Sequence, residues 1–207
     1  EVALHDSELY AAMATMLTEM DYPRDTIYQA WDLLLVNQQH DILPGSITRE
    51  PELDALRDYD KLQMMTGKII DDSTGSIANN ICTKTASIVI FNPNSWSRNG
   101  VVEINSSDVP NGMQFTDTHG QILNYQNCDE DPSSQRTLIQ VNDVPACGYT
   151  TVYFEPSKEK PISSISVSET KMENDFFVLI IDRFGRISSL YDKAAQREVI
   201  ASGSYGN

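Results

Sequence analysis

The stretch Asn37-Gln38-Gln39-His40-Asp41-Ile42-Leu43-Pro44-Gly45 sets an imidazole beside a carboxylate directly after the apolar run Ala30-Trp31-Asp32-Leu33-Leu34-Leu35-Val36. A helix that ends there presents partial negative charge at its tip, which favours a protonated imidazole or a metal ion nearby. Neutral imidazole is the commonest metal ligand. Asp41 can bind metal, orient the ring or accept protons from hydroxyl groups. One His and one Asp fall short of the three or four protein ligands that zinc takes. His5 and His119 show no spacing that links them to His40. From residue types alone, a capping or packed histidine is the commoner role and a ligand the alternative.

Other candidates for chemistry are weaker. Cys82, Cys128 and Cys147 are widely spaced with no CxxC pair, which argues against a zinc knuckle or a disulfide scaffold and suits a reducing cytosol. No base is placed to activate any of them. Asp129-Glu130-Asp131 lacks the alternating oxygen donors of a calcium loop and reads as a solvated loop. Trp31 and Trp96 offer faces for sugar stacking, with core packing the expected role for Trp31 and packing favoured for Trp96. Met13, Met16, Met20, Met64 and Met65 fit core filling or packing on another domain.

These residues need elements to hold them, and 207 residues suffice for one large domain or two small ones. Hydrophobic content of 40% and charged content of 22% are those of an ordinary globular chain. No apolar run approaches the roughly 20 residues that cross a bilayer. The opening residues Glu1–Asp6 carry no signal-peptide pattern, although the chain lacks a starting Met. A formal net charge of −15 disfavours nucleic acid and anionic membranes as partners. A cytoplasmic location is expected.

The hydrophobic period divides the chain. Leu4, Leu9, Met13, Met16, Leu17 and Met20 suggest a first amphipathic helix, broken at Asp21-Tyr22-Pro23. Asp25 can cap a second helix with the stripe Ile27, Ala30, Trp31, Leu34 and Leu35; Leu33 and Val36 make its other side apolar, so near-complete burial is expected. Thr48 can cap a third, with Pro51 in its first turn and Leu53, Leu56, Tyr59, Leu62 and Met65 at helical steps, running towards residue 80 despite Gly67 and Gly75. Beyond residue 85 the runs are short and β-branched: 87–91, 101–104, 137–141 and 151–154, separated by Pro, Asn and Gly turns. Phe176–Ile181 is apolar throughout, as a strand covered on both faces would be, and Arg183-Phe184-Gly185-Arg186 reads as a hairpin. The expected fold class is α+β: a three-helix domain over 1–80, then an antiparallel β-sandwich over 85–207, incomplete at its end. Glu155–Pro161 is the best linker. The helical part is the more acidic, with 15 acidic against five basic residues.

Four stretches in order resemble glycoside hydrolase family 38 alpha-mannosidases of the bacterial and cytosolic-type branch. They are Trp31–Ser46, similar to a tryptophan and leucine run followed by NQFHDILPGSS, and Asp54-Ala55-Leu56-Arg57-Asp58-Tyr59. The third is Phe91-Asn92-Pro93-Asn94-Ser95-Trp96-Ser97-Arg98-Asn99-Gly100-Val101-Val102. The fourth joins Glu173-Asn174-Asp175-Phe176-Phe177, Gly185–Lys193 and Arg197-Glu198-Val199. The resemblance implies a middle helical domain and the start of a C-terminal β-region of a zinc-dependent retaining alpha-mannosidase. It implies His40 as one zinc ligand and Asp41 as a partner of sugar hydroxyls. The nucleophile, general acid and remaining ligands are then expected in an upstream α/β domain of the same polypeptide, leaving no catalytic residue here and an isolated piece without activity. The implied partner is a mannose-containing oligosaccharide, and a homo-oligomer is compatible. Gln39 stands where the family commonly has Phe, and the second Ser after Gly45-Ser46 is absent. The competing expectation is a non-catalytic carbohydrate-binding or interdomain docking module.

Overall fold

The computed structural model describes residues 1–83, 85–110, 112–128, 136–157 and 165–206. It divides into two units, Glu1–Ser157 and Lys158–Asn207, and the division falls within the segment read as a linker. The acidic triplet 129–131 and most of that linker lie outside the described residues. No described helix is long and apolar enough to cross a membrane.

The first unit begins with three helices: α1 Val2–Leu17, α2 Arg24–Asn37 and α3 Arg49–Asn79. At 1.5 Å per residue α3 extends roughly 46 Å. Contacts fix an up-down-up register. Leu4 meets Ala30, Leu34 and Leu62, while Ala11 meets Ile27 and Ile69. Farther along, Thr18 accepts a 2.9 Å hydrogen bond from Ser76. So α1 and α3 run parallel, with α2 antiparallel to both.

The face of α1 that packs differs from the expected one. Leu4, Ser7, Tyr10, Ala11 and Ala14 are buried, whereas Met16 and Leu17 are exposed. Small side chains let α1 approach α3 closely, and Met16 and Leu17 are left outside. The expected near-complete burial of α2 is also corrected. Ile27, Ala30 and Leu34 are buried, but Tyr28, Leu35 and Val36 are exposed, because two neighbouring helices cover one side only. Trp31 is half-buried between the two apolar clusters and donates from Nε1 to Glu8 at 3.1 Å. Asp25 lies inside the first turn of α2 rather than at its cap, where Pro23 stands. A carboxylate in that turn still complements the helix dipole. Thr48 does occupy the cap position of α3, without a side-chain capping bond.

Among the described residues six strands follow: β1 Ser87–Asn92, β2 Arg98–Asn105, β3 Met113–Thr116, β4 Tyr125–Cys128, β5 Arg136–Val144 and β6 Gly148–Pro156. They form two antiparallel three-stranded sheets, ordered β1-β6-β3 and β2-β5-β4. Ile90, Phe115 and Val152 from the first sheet meet Ile139, Val141 and Val144 from the second in one core. Alternation of buried and exposed positions along β5 is the reason a single strand can serve that core. The helices join the first sheet through Tyr10, whose ring meets Phe91 edge-on at 5.6 Å; Phe91 in turn lies 5.8 Å from Tyr149. Burial, then Asp6 and Cys147, push the Tyr10 hydroxyl up to about 12.

The second unit is an antiparallel sheet of β7 Ser166–Val167, β8 Lys171–Glu173, β9 Phe177–Ile181, β10 Ile187–Asp192 and β11 Arg197–Glu198, in the order β11-β10-β9-β8-β7. The expected hairpin joins β9 to β10 with Gly185 at φ +78°. Asp182 holds it, accepting the backbone N–H of Phe184 at 2.8 Å and of Arg186 at 3.0 Å. The Arg186 guanidinium closes on the same carboxylate, which keeps Asp182 below the usual carboxylate range. The expectation that β9 is covered on both faces is not met, since Phe177 and Ile180 are exposed on opposite sides of the strand. With helices followed by antiparallel sheets, the expected α+β class is borne out.

Ile139 is 0% exposed, so Ile139→Ala should cost about 2–5 kcal/mol in chemical denaturation. Val101→Ala, on the exposed side of β2, should stay within about 0.5 kcal/mol. In the second unit Lys171 and Lys193 hold Glu173 down to about 2, from an ordinary 4.5, through contacts of 2.6 and 2.7 Å. A lowered folded-state value means stability that is present above pH 4.5 and lost as pH falls towards 2. Thermal unfolding across that window should show a shallower acid dependence in Glu173→Gln than in the parent sequence; equal slopes would remove the ion pairs from the account.

Candidate functional site

The site grows out of the end of α2. Asn37, the last helical residue, is 2% exposed. Its side-chain amide donates to the Leu33 carbonyl at 2.9 Å and to the half-buried Asp58 carboxylate at 3.0 Å. Its own carbonyl accepts from the Tyr59 hydroxyl at 3.3 Å. These bonds bolt the end of α2 to the third turn of α3.

Beyond this bolt the chain coils through consecutive turns. Gln38 N–H reaches Leu34 O at 3.0 Å, and Ile42 and Leu43 N–H both reach Gln39 O. The coil stops in a Schellman arrangement, with Gly45 N–H on Ile42 O at 3.0 Å and Ser46 N–H on Asp41 O at 3.1 Å. Gly45 takes φ +74°, a conformation that costs a side-chain-bearing residue free energy. The sharp turn expected at Pro44-Gly45 is therefore present, and it fixes the Asp41 carbonyl from below.

His40 stands on top of this coil with its side chain 87% exposed. Its Nε2 lies 3.5 Å from Asp41 Oδ2, a contact that becomes an ion pair when the ring is protonated. Asp41 Oδ2 also accepts a 3.1 Å hydrogen bond from the Gln39 side chain. The structure thus brings His40, Asp41 and Gln39 together and leaves His5 and His119 elsewhere, beside Asp6 and Asp117 respectively. A solvent-facing imidazole next to a carboxylate can donate one nitrogen to a metal or exchange protons with hydroxyl groups. Among the described residues no group of three His, Cys, Asp or Glu side chains could hold a metal ion. His40 and Asp41 can supply part of a zinc shell and cannot complete one.

Exposed apolar residues flank the tip: Leu35 and Val36 on α2, Leu43 in the coil, and Leu53 and Leu56 on α3. The three cysteines are free, with Cys82 and Cys147 exposed. Sequence reasoning placed Tyr59 in the stripe of the third helix and gave no site role to Asn37, Asp58 or Tyr59. The signal available was a polar residue on the packed side of an apolar helix, four residues after Leu33 and one turn short of the histidine.

Residues 1–77 match the family described as the alpha mannosidase middle domain. That stretch is similar to the alpha mannosidase middle domain. The whole chain aligns with Alpha-mannosidase G of Dictyostelium discoideum, 24% identical over 244 residues, and with Alpha-mannosidase 2C1 of Homo sapiens, 24% identical over 218 residues. It spans about a fifth of those curated relatives, 21% and 18% of their lengths. Two solved structures from Enterococcus faecalis share the fold. One is an alpha-mannosidase from strain V583, with TM-score 0.61 and 19% identity, matched over 95% of this chain and 27% of that one. The other is a glycosyl hydrolase family 38 protein, with TM-score 0.63 and 20% identity, matched over 93% and 28%. Within the matched stretch, His40 and Asp41 lie in a solvent-exposed turn.

Removing the bolt should loosen the tip without unfolding the bundle. Asn37→Ala should cost about 1–3 kcal/mol, since it strips a buried hydrogen-bonding group from its partners. Amide exchange over residues 38–46 should accelerate more than in the core of α3. Unchanged exchange in that segment would show that the coil is held by its own turns alone.

Proposed function

We propose that this chain is part of a longer alpha-mannosidase and that its middle domain supplies one wall of the active site. The intact protein would hydrolyse terminal alpha-mannosides of glycans with retention at the anomeric carbon, in a cytoplasmic compartment. The observation that carries this reading is an exposed imidazole on a braced helix tip, within a stretch that matches the alpha mannosidase middle domain. His40 would give one nitrogen to a zinc ion whose other ligands lie outside this chain. Bound zinc would supply a Lewis acid that polarises and positions sugar hydroxyls. Asp41, acceptor-only when ionised, would take hydrogen bonds from those hydroxyls, with Gln39 fixing one of its oxygens.

Retaining hydrolysis takes two carboxyl groups flanking the glycosidic bond. Asp41 is the one carboxylate at the tip with a role in this reading, and that role is binding. The nucleophile and acid would therefore come from elsewhere in the polypeptide, and the isolated chain would not turn over. The exposed Leu35, Val36, Leu43, Leu53 and Leu56 support this arrangement, because exposed large apolar side chains suit a contact surface. A neighbouring domain resting on them would bring its ligands and carboxylates to His40.

In the intact protein, His40→Ala should lower both bound zinc, measured by mass spectrometry of the dialysed enzyme, and mannoside hydrolysis by more than about 100-fold. Zinc and activity that both survive the change would end the assignment of His40.

A further inference from the structure

Asp41 carries two carboxylate oxygens, and the coil treats them differently. Oδ2 accepts the 3.1 Å hydrogen bond from Gln39 Nε2 and lies 3.5 Å from His40 Nε2. Oδ1 accepts no hydrogen bond among the described residues. One oxygen is therefore turned back towards the two preceding side chains. The other is left open, on a side chain that is 54% exposed.

The backbone holds this division in place. The Gln39 carbonyl accepts from the N–H groups of Ile42 at 3.0 Å and Leu43 at 3.2 Å, and the Asp41 carbonyl accepts from Ser46 at 3.1 Å. Both side chains thus leave a coil whose carbonyls are already engaged, and the Gln39 amide reaches the carboxylate across two residues. Gln39 is exposed, and its side chain makes no other hydrogen bond among the described residues. What it does at the tip is hold Asp41; it has no part in the helix packing.

We infer that Gln39 is a specificity-determining residue that makes Asp41 a one-oxygen reader of sugar hydroxyls. The inference rests on the reading of the chain as part of an alpha-mannosidase and deepens it. An ionised carboxylate offers two oxygens with about four lone-pair sites, enough to accept from two neighbouring hydroxyls at once. With Oδ2 tethered by the amide and flanked by the His40 ring, Oδ1 meets a single hydroxyl. A sugar that lacks the neighbouring hydroxyl loses nothing at Asp41. The site therefore tolerates the absence of a group that an untethered carboxylate would bind, and hydrogen bonds to charged groups are strong enough for that difference to decide rates.

The test uses the intact enzyme with an aryl alpha-mannoside and the set of analogues that each lack one hydroxyl. It reads kcat/KM for each analogue relative to the full mannoside. Gln39→Met keeps the length of the side chain and removes its donor, and comparing its profile with that of the parent sequence cancels the intrinsic reactivity of each analogue. In Gln39→Met one analogue that the parent sequence tolerates should fall about tenfold or more against the full mannoside, the scale of one hydrogen bond to a charged acceptor. Bound zinc should be the same in both proteins. Penalties that stay equal, or that shrink in Gln39→Met, overturn the role of Gln39, and so does a loss of zinc, which would place its effect on the metal. An intact protein that hydrolyses no mannoside ends the active-site reading itself, on which His40→Ala reports separately, so the two failures can be told apart.

Discussion

The carboxamide of Asn37 is the interaction on which the tip of the helical domain depends. Buried at the end of α2, it must find partners, because an unpaired buried amide costs on the order of 1–3 kcal/mol. Leu33 O and the Asp58 carboxylate are the acceptors it reaches, and Tyr59 takes up the carbonyl of the same residue. That requirement fixes where α2 stops and how its end sits on α3. The coil that follows inherits a defined origin, and Gly45 gives it a defined end. Between two fixed points, the His40 ring can stay in solvent without the backbone under it being loose.

The same logic of close approach sets the bundle. Ser7, Ala11 and Ala14 of α1 are buried alongside Thr66, Ile69, Ser73 and Ile77 of α3, and the small side chains bring the two parallel helices together. Thr66 satisfies its hydroxyl on the carbonyl four residues back, whereas the buried Ser73 hydroxyl has no hydrogen-bond partner among the described residues. Large apolar residues that do not fit this seam remain outside, around the tip and along α1. A domain built this way holds together along its seam.

The sandwich contributes a second bolt of the same kind. Asn92 does for the Asn-Pro-Asn-Ser-Trp turn what Asn37 does for the histidine coil: a buried amide saturates backbone groups of an irregular segment and leaves one side chain free. Tyr10 and Phe91 carry the helices onto β1, so both exposed side chains belong to one compact unit. Irregular backbone held by a buried side chain is how a rigid scaffold presents chemistry to its surface.

Much of this was legible from residues alone, and the divide has a physical basis. The break at Pro23, the cap position of Thr48, the Pro44-Gly45 turn and the Gly185 hairpin were readable because each is a local backbone preference, encoded within a few residues. The switch from helical to strand period was readable for the same reason. The distant partners of Asn37 and Asn92 were not, since they lie 21 and more than 50 residues away and nothing in the intervening chain marks them. Nor were the packed face of α1, the exposure of Leu35 and Val36 or the open sides of β9, where apolar residues on more than one side left several faces equally plausible. The polar strand β4 gave no alternation to read. Local sequence determined where the chain turns and what its tip carries. Only packing decided which side faces inward, because burial depends on the neighbour that arrives, and the neighbour comes from far along the chain.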